Sequence, residues 1–323
     1  MTDLYPLKFN PILKEKLWGG QKIRTILGKD FGALSNCGET WELSGVEGNI
    51  STVANGPLAG AGLAALIEEK KAELVGNSIY ENFGDEFPLL IKFIDADQDL
   101  SIQVHPDDRL AKERHNGFGK TEMWYILQAD SGATLIDGFN KDTNKAEYIQ
   151  HLEGGKLTEI LNREEVNEGD VFYLPAGRVH TIGKGLLLAE IQQTSDLTYR
   201  IYDFDRVDKD GNKRELHTDL AVEAIDYSRP TQVKSPYDRT PNQTNNVVSS
   251  PFFSTNKIDV TQKMGIDRTD LDSFKIYIGV GGSGHLAGEK ISFGEVVLVP
   301  ASMKEYEIEP EGSLQLLESY IQL

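Results

Sequence analysis

Two polar side chains with metal-binding atoms alternate in one short apolar segment of the sequence. Gln103 and His105 lie two residues apart, and Pro106 ends the segment. If the segment is a strand, both share a face with Ser101, because successive side chains point to opposite faces. Burying such a polar face is costly unless a ligand, a metal or water satisfies it. The alternative is a solvent-facing strand at the edge of a half-buried sheet.

Two further motifs add a carboxylate and a second imidazole. Glu122 follows a glycine-led loop, Gly119-Lys120-Thr121, and begins an aromatic segment, while His180 ends the pattern Gly-x5-Pro-x-Gly-x2-His that starts at Gly169. Two imidazoles, a carboxylate and an amide oxygen suit zinc or another first-row divalent metal with an open position. The alternative is that these histidines make only ordinary hydrogen bonds. The predicted metal ligands are Gln103, His105, Glu122 and His180.

The ordered series of motifs resembles a known family. The Gly-x5-Pro-x-Gly-x2-His pattern is similar to the second motif of the cupin superfamily. The pairing of Ser-Ile-Gln-Val-His-Pro with Lys-Thr-Glu-Met-Trp-Tyr resembles, more narrowly, the short bacterial form of the type I mannose-6-phosphate isomerases. The likeness runs along most of the chain; its quoted segments are Trp18-Gly19-Gly20, 38–42, 101–106, 120–125 and 189–203.

The resemblance implies specific roles for residues of this sequence. It implies one Zn²⁺ per chain, held by the four predicted ligands. It also implies a catalytic arginine, Arg200, in the segment Thr-Tyr-Arg-Ile-Tyr-Asp, and a cleft lined by Ser101, Lys120 and Glu190. We therefore expect Arg200, Glu190 and Lys120 to be catalytic, and Ser101, Lys120 and Arg200 to bind substrate.

The implied reaction is the interconversion of D-mannose 6-phosphate and D-fructose 6-phosphate. It moves a proton between carbons 1 and 2 through an enediol-like intermediate, and a divalent cation can stabilise the negative charge that develops on the sugar oxygens. Lys120 and Arg200 are the best local candidates for binding the phosphate, with Ser101 as a hydroxyl donor. The sequence leaves open which group removes the proton.

Two other functions are compatible with the same residues. Two histidines and one carboxylate also describe the non-haem iron site of a cupin oxygenase. The predicted phosphate-binding cations and Gln103 argue against this alternative, since an oxygenase has no general need for them. The second alternative is a non-catalytic cupin that binds a sugar phosphate as a regulator.

Short strands must position these motifs. We predict a mainly β fold with two cupin-like (jelly-roll) β-barrels and short helical insertions. The expected domains are a metal-binding catalytic domain over 1–227, a linker over 228–251, and a smaller C-terminal domain over 252–323 without metal ligands. A weak internal repeat supports two copies of one barrel: the segment from Glu168 to Ala176 resembles the segment from Phe293 to Ala301.

Composition narrows the range of partners and compartments. The chain has 323 residues and a net charge of −18, which disfavours binding to nucleic acid or to an anionic membrane surface. Its single cysteine, Cys37, fits a reducing compartment. The N-terminus lacks the features of a secretory signal. We expect a cytoplasmic enzyme with a small-molecule sugar phosphate as its partner, and leave the oligomeric state open.

Overall fold

A computed structural model describes residues 3–208 and 210–323 of the chain. Strands dominate this part of the chain. They are β1 (Ile12–Lys14), β2 (Glu39–Leu43), β3 (Leu89–Ala96), β4 (Ile102–Val104), β5 (Glu122–Ala129), β6 (Thr134–Phe139), β7 (Leu161–Glu165), β8 (Val171–Leu174), β9 (His180–Thr181), β10 (Leu186–Gln193), β11 (Tyr199–Tyr202), β12 (Asn245–Ser249), β13 (Ser254–Val260), β14 (Met264–Asp267), β15 (Lys275–Leu286), β16 (Glu289–Ser292), β17 (Val296–Val299) and β18 (Glu305–Tyr320).

The helices are short and are inserted between the strands. They are α1 (Lys22–Thr25), α2 (Leu63–Lys70), α3 (Ala72–Val75), α4 (Asn77–Phe83), α5 (Asp108–His115), α6 (Lys145–Glu153) and α7 (Thr218–Ala224), with one 3-10 turn, Leu157–Ile160. None of the described helices is long and apolar enough to cross a membrane.

The prediction of a mainly β fold with short helical insertions is confirmed. The described strands form three antiparallel sheets, and no closed barrel is found among them. The chain divides into two compact units. We call the described residues of Leu13–Thr40 and Phe93–Ser235 the site unit, and those of 3–12, Trp41–Lys92 and Pro236–Leu323 the companion unit.

The units are discontinuous in sequence, whereas the predicted domains follow one another along the chain. Residues 41–92, which we predicted within the catalytic domain, belong to the companion unit. The predicted linker over 228–251 contains β12, which pairs with β13. Val247 and Val248 of β12 are buried, so apolar burial makes a strand of a segment whose composition resembles a linker. The domain boundaries at 227 and 252 stay a prediction.

The site unit is a sandwich with two hydrophobic clusters. One sheet has the order β11-β4-β9-β6-β7, and facing strands include β10, β5 and β8, paired in that order. The inner cluster contains Trp124, Phe172 and Leu188. The outer cluster packs Ile102 and Val104 of β4 beneath α6 and α7. Alternate residues of β4 therefore face the interior, as the sequence predicts for Gln103 and His105.

Three helices can be predicted from local sequence, and the structure confirms one of these predictions. Asn144 with Glu147 three residues later predicts an N-cap, and the Asn144 side chain accepts a hydrogen bond from the Glu147 backbone N–H. Thr218, which the sequence predicts as the N-cap of a later helix, is instead the first residue of α7, and His217 precedes it. The apolar spacing between Ala59 and Val75 predicts one helix, but two form, because Lys71 has a φ of 48°.

Asp95, near the end of β3 in the site unit, has a buried carboxylate. Its Oδ2 accepts a hydrogen bond of 2.6 Å from the Lys22 backbone N–H at the start of α1. Its Oδ1 is buried and has no hydrogen-bond partner among the described residues. Burial therefore raises the pKa of Asp95 to about 6, against the smaller opposing effect of Lys22.

We expect Asp95 to make folding stability depend on pH. The pKa is higher in the folded chain than in the unfolded one, so its contribution is greatest below about pH 4 and falls as the pH rises through 6. Relative to Asp95→Asn, the wild-type chain should lose on the order of 2 kcal/mol of unfolding free energy between pH 4 and 7. Urea unfolding of both proteins across this range measures the difference, and a constant difference would contradict the assignment.

Candidate metal centre

Three of the four predicted metal ligands form one compact group. Among the residues that the structure describes, the ligand atoms of His105, Glu122 and His180 lie within 4.8 Å of one another, and all three side chains are buried. The Glu122 carboxylate lies between the imidazoles: its Oε2 is 3.4 Å from His105 Nε2, and its Oε1 is 3.3 Å from His180 Nε2. The group offers two nitrogen atoms and one carboxylate to a shared point.

Gln103 joins this group through the register of the five-stranded sheet. It lies directly opposite His180 in the ladder between β4 and β9. Residues opposite each other in a ladder project from the same face. The Gln103 Nε2 atom lies 3.1 Å from His180 Nε2, so a half-turn of the amide presents its oxygen to the same point. The structure thus brings all four predicted ligands together, and their coordination of a metal stays a prediction.

Backbone contacts hold the three motifs that carry these side chains. Gly177 has a φ of 89° and donates its N–H to the His105 carbonyl over 2.9 Å. A side chain at Gly177 would meet the Ala224 carbonyl oxygen at 2.9 Å, which explains the glycine in this motif. The Lys120 N–H donates to the Pro106 carbonyl over 3.1 Å. The loops before Glu122 and His180 are therefore both tied to the end of β4.

Hydrogen bonds to the backbone set the tautomer of both histidines. The Nδ1–H of His105 donates to the Leu197 carbonyl over 2.8 Å, and the Nδ1–H of His180 donates to the Arg178 carbonyl over 2.9 Å. Each Nε2 therefore carries a lone pair directed at the centre. Burial, followed by the charge of Lys120, lowers the pKa of His105 to about 3, and burial also lowers that of His180. Both imidazoles are neutral at pH 7, the form that binds metals.

The Glu122 carboxylate is the strongest sign that the centre accommodates a cation. Both of its oxygens are buried. The Lys120 ammonium lies 3.0 Å from Oε2, whereas Oε1 has no hydrogen-bond partner among the described residues. Burial opposes ionisation, but the charge of Lys120 holds the pKa of Glu122 well below its usual range. A buried carboxylate oxygen without a hydrogen-bond donor is unusual in a folded protein. A divalent cation would satisfy both oxygens, so the residues present fit a metal ion.

Lys120 is the cation that contacts this centre directly. Its Nζ lies 3.0 Å from His105 Nε2 and 3.0 Å from Glu122 Oε2. The side chain is buried, with 6% of its surface exposed. Lys120 thus lies beside the predicted ligand atoms, and its role in lining a substrate cleft, which the resemblance implies, stays a prediction.

Glu190 lies on β10, the strand paired with β5. It is opposite Trp124 in the ladder between β10 and β5, two residues along from the Gln192–Glu122 pair. The Trp124 Nε1–H donates to Glu190 Oε2 over 2.8 Å, which fixes the orientation of this buried carboxylate. The same indole packs edge-on against His180, with ring centroids 5.4 Å apart. Trp124 is a core residue, and it also links Glu190 to the candidate metal centre.

Arg200 lies next to Gln103, on the side away from His180. It lies directly opposite Gln103 in the ladder between β11 and β4. One guanidinium nitrogen donates to the Glu215 carbonyl over 2.8 Å, whereas its Nε is buried without a hydrogen-bond partner. Burial and the neighbouring charge of Arg214 lower the pKa of Arg200. Ser101, which is 3% exposed, precedes β4 on the face of Gln103.

The sequence reasoning missed two further arginines near Arg200. Arg206 and Arg214 both donate to the carboxylate of Asp203, with 2.7 Å between Arg214 Nε and Asp203 Oδ2. Arg206 and Arg214 therefore share one carboxylate, and their positive charges lie close to Arg200. The signal was available, because Arg206 and Arg214 follow Arg200 within 14 residues. A sequence alone does not distinguish these arginines from the many that form ordinary surface ion pairs.

A buried ion pair beside His180 was also missed. Asp137 lies opposite His180 in the ladder between β6 and β9, and its Oδ1 accepts a hydrogen bond of 2.6 Å from Arg178. Burial raises the pKa of Asp137 to about 6, and Arg178 opposes this shift. The carbonyl of Arg178 is the one that receives the His180 Nδ1–H. The ion pair therefore anchors the backbone that orients a predicted ligand.

Comparison with known proteins identifies relatives of the whole chain. Residues 6–151 match the family model described as phosphomannose isomerase type I, catalytic domain. The chain is 38% identical to the probable mannose-6-phosphate isomerase GmuF of Bacillus subtilis (strain 168), over 98% of this chain and 99% of the relative. It is 34% identical to a mannose-6-phosphate isomerase of Streptococcus mutans, over 98% of each. The crystal structure of the mannose 6-phosphate isomerase from Bacillus subtilis is similar with a TM-score of 0.87 and 34% identity, covering 98% of this chain and 99% of that one.

We expect Glu122→Gln to weaken metal binding strongly, because a neutral amide replaces the carboxylate between the two imidazoles. The loss of affinity should exceed the roughly 10- to 100-fold effect of altering residues outside the coordination sphere. Competition with a chelator, followed by elemental analysis, measures it. Glu165→Gln, at an exposed position of β7, is the matched control. Equal metal affinity in the two variants would remove Glu122 from the ligand set.

Proposed function

The chain belongs to the type I phosphomannose isomerase family, and on this basis we propose that it interconverts D-mannose 6-phosphate and D-fructose 6-phosphate at the candidate metal centre. The observation that carries the proposal is the convergence of the two imidazoles of His105 and His180 on the buried carboxylate of Glu122. Lys120 supplies positive charge beside this carboxylate, and Arg200 lies next to Gln103 on the neighbouring strand. A metal-dependent isomerase of an anionic sugar uses both features at one site.

The proposed metal is one Zn²⁺ per chain, held by Gln103, His105, Glu122 and His180. Neutral imidazole nitrogens combined with carboxylate and amide oxygens support zinc or a similar divalent ion. When bound, the ion acts as a Lewis acid that stabilises negative charge on the sugar oxygens. The remaining chemistry belongs to the side chains around it.

The arginines and lysine of the site bind and orient the substrate in this proposal. Arg200 has a buried Nε without a partner, so it is available to donate to an anionic oxygen. The guanidinium groups of Arg206 and Arg214 add positive charge next to it. We assign the phosphate to this arginine group, with the hydroxyl of Ser101 as a further donor.

Glu190 and Lys120 carry the proton chemistry in this proposal. Glu190 is a buried carboxylate that Trp124 holds in one orientation, so we assign to it the transfer of the proton between carbons 1 and 2. Lys120 Nζ lies beside the ligand atoms, where its ammonium can donate a hydrogen bond to a sugar oxygen as negative charge develops. Burial of both groups keeps water away from the intermediate.

The alternatives of an iron oxygenase and of a regulator that binds without catalysis find no supporting observation. Family membership and the arginine group both favour the isomerase. The cytoplasm is the proposed compartment, supported by the single cysteine and by the small soluble substrate.

The proposal predicts that removal of metal abolishes isomerisation. We expect the purified chain to convert mannose 6-phosphate to fructose 6-phosphate in a coupled assay, to lose this activity after dialysis against a chelator, and to regain it on addition of Zn²⁺. Adding Mn²⁺, Co²⁺ or Fe²⁺ in parallel, with elemental analysis, tests the identity of the ion. Full turnover by the metal-free chain would refute the mechanism, and metal-dependent oxygen uptake would favour the oxygenase.

We expect Arg200→Ala to reduce kcat/KM by about 10- to 100-fold, the effect of losing a hydrogen bond to a charged group. Bound metal should be unchanged, because Arg200 contributes no predicted ligand. Steady-state kinetics together with elemental analysis separate the two properties. Arg163→Ala, at an exposed position of β7, serves as the control. Wild-type kinetics for Arg200→Ala would exclude Arg200 from the mechanism.

A further inference from the structure

The companion unit contains a sheet that repeats the strand ladder of the metal centre. Its strands β13, β18, β15 and β17 are paired in that order, as β10, β5 and β8 are in the site unit. The repeat found in the sequence places β8 and β17 in equivalent positions. Both strands follow a glycine with positive φ, 81° at Gly169 and 83° at Gly294.

The register of the two ladders identifies equivalent residues. Glu122 pairs with Leu174 of β8, and Lys275 pairs with Val299 of β17. Val299 follows Leu174 by 125 residues, which is the spacing of the sequence repeat. Lys275 is therefore the equivalent of Glu122. By the same register, Tyr277 corresponds to Trp124. One strand further across, Glu318 lies opposite Tyr277, as Glu190 lies opposite Trp124.

The equivalent side chains make equivalent contacts. The Tyr277 hydroxyl donates to Glu318 Oε1 over 2.7 Å, and the Trp124 indole donates to Glu190 Oε2 over 2.8 Å. Both carboxylates are buried. The companion unit therefore keeps the aromatic–carboxylate pair that lines the metal centre of the site unit.

The charge at the position of the metal ligand is reversed. Lys275 replaces Glu122, and its Nζ lies 2.6 Å from Glu318 Oε1. The amide of Asn256 donates to the other oxygen of Glu318 over 2.9 Å. With a lysine at this position, this copy of the site lacks the carboxylate that Glu122 would supply to a metal.

A cavity of about 420 Å³ nevertheless opens over these residues. This volume lies within the range of small-molecule sites, roughly 300–1,000 Å³. Residues of the cavity wall include Asn256, Lys275, Glu318, Tyr320, Thr244 and Gln322. They combine an aromatic ring with carboxylate, amide, hydroxyl and ammonium groups, so both donors and acceptors of hydrogen bonds are present.

The charges around the cavity disfavour an anionic ligand. Lys275 is neutralised by Glu318, and Arg268 donates to the carbonyls of Met303, Ser273 and Pro300. Two exposed carboxylates, Asp267 and Asp270, lie in the wall. Hydroxyl groups, which both donate and accept, match this lining better than a phosphate does.

We propose that this cavity is a second, non-catalytic site for a neutral polyhydroxylated molecule of the size of a free monosaccharide. Tyr320 supplies a surface for the apolar face of the ring, and Gln322, Asn256 and Thr244 supply hydrogen bonds to its hydroxyls. The inference is independent of the proposed isomerase activity, because it uses only residues of the companion unit.

Titration of the full chain with free D-mannose, followed by saturation-transfer NMR or calorimetry, tests the proposal. We expect saturable binding that Tyr320→Ala weakens about tenfold through loss of the aromatic contact. Gln322→Ala should also weaken it, whereas Gln262→Ala, an exposed glutamine outside the cavity wall, should bind as the wild type does. Isomerase activity and the melting temperature should be unchanged in all three variants.

Three results would overturn the proposal. The first is the absence of saturable binding of D-mannose to the wild-type chain. The second is binding that neither Tyr320→Ala nor Gln322→Ala weakens, which would place the sugar elsewhere. The third is displacement of the sugar from this cavity by inorganic phosphate, which would identify an anion site instead.

Discussion

The burial of the Glu122 carboxylate is the constraint on which the arrangement of the site depends. An ionised carboxylate removed from water is strongly unfavourable unless positive charge or hydrogen-bond donors compensate it. Among the described residues, the ammonium of Lys120, 3.0 Å from Oε2, compensates the charge of this carboxylate, and Oε1 has no hydrogen-bond partner. The tautomers of His105 and His180, fixed by backbone carbonyls, direct lone pairs to one point. A divalent cation at this point would bind the Glu122 carboxylate and both histidine lone pairs.

Cross-strand register brings the polar side chains of the site together. Arg200, Gln103, His180 and Asp137 form successive pairs across four neighbouring strands, although they are widely separated in sequence. A shift of one residue in any of these pairings would turn a side chain of the row to the opposite face. The outer face of β4 is fixed by Ile102 and Val104 in an apolar cluster. Hydrophobic packing therefore determines which polar side chains meet inside.

The same ladder serves different chemistry in the two units. The buried pairing of an aromatic donor with a glutamate is present in both, at Trp124–Glu190 and at Tyr277–Glu318. The two sheets differ at the register position of Glu122, which Lys275 occupies in the companion unit. Lys275 compensates the carboxylate of Glu318 from within the chain. The polar cluster of the companion unit is therefore internally neutral.

The sequence by itself determined the mainly β fold, the alternation of β4 and the N-cap at Asn144, and its separate motifs predicted the residues that meet at the candidate metal centre. Local patterns determine these features, because side-chain alternation and helix capping depend on residues close together in the chain. Only the tertiary structure decided the division into discontinuous units, the strand at Asn245–Ser249 and the contacts of Asp137 with Arg178 and of Asp203 with Arg206 and Arg214. The equivalence of Lys275 with Glu122 was equally invisible, since it depends on which strands pair and in which register. Such pairings join residues far apart along the chain, and no local pattern encodes the packing that selects them.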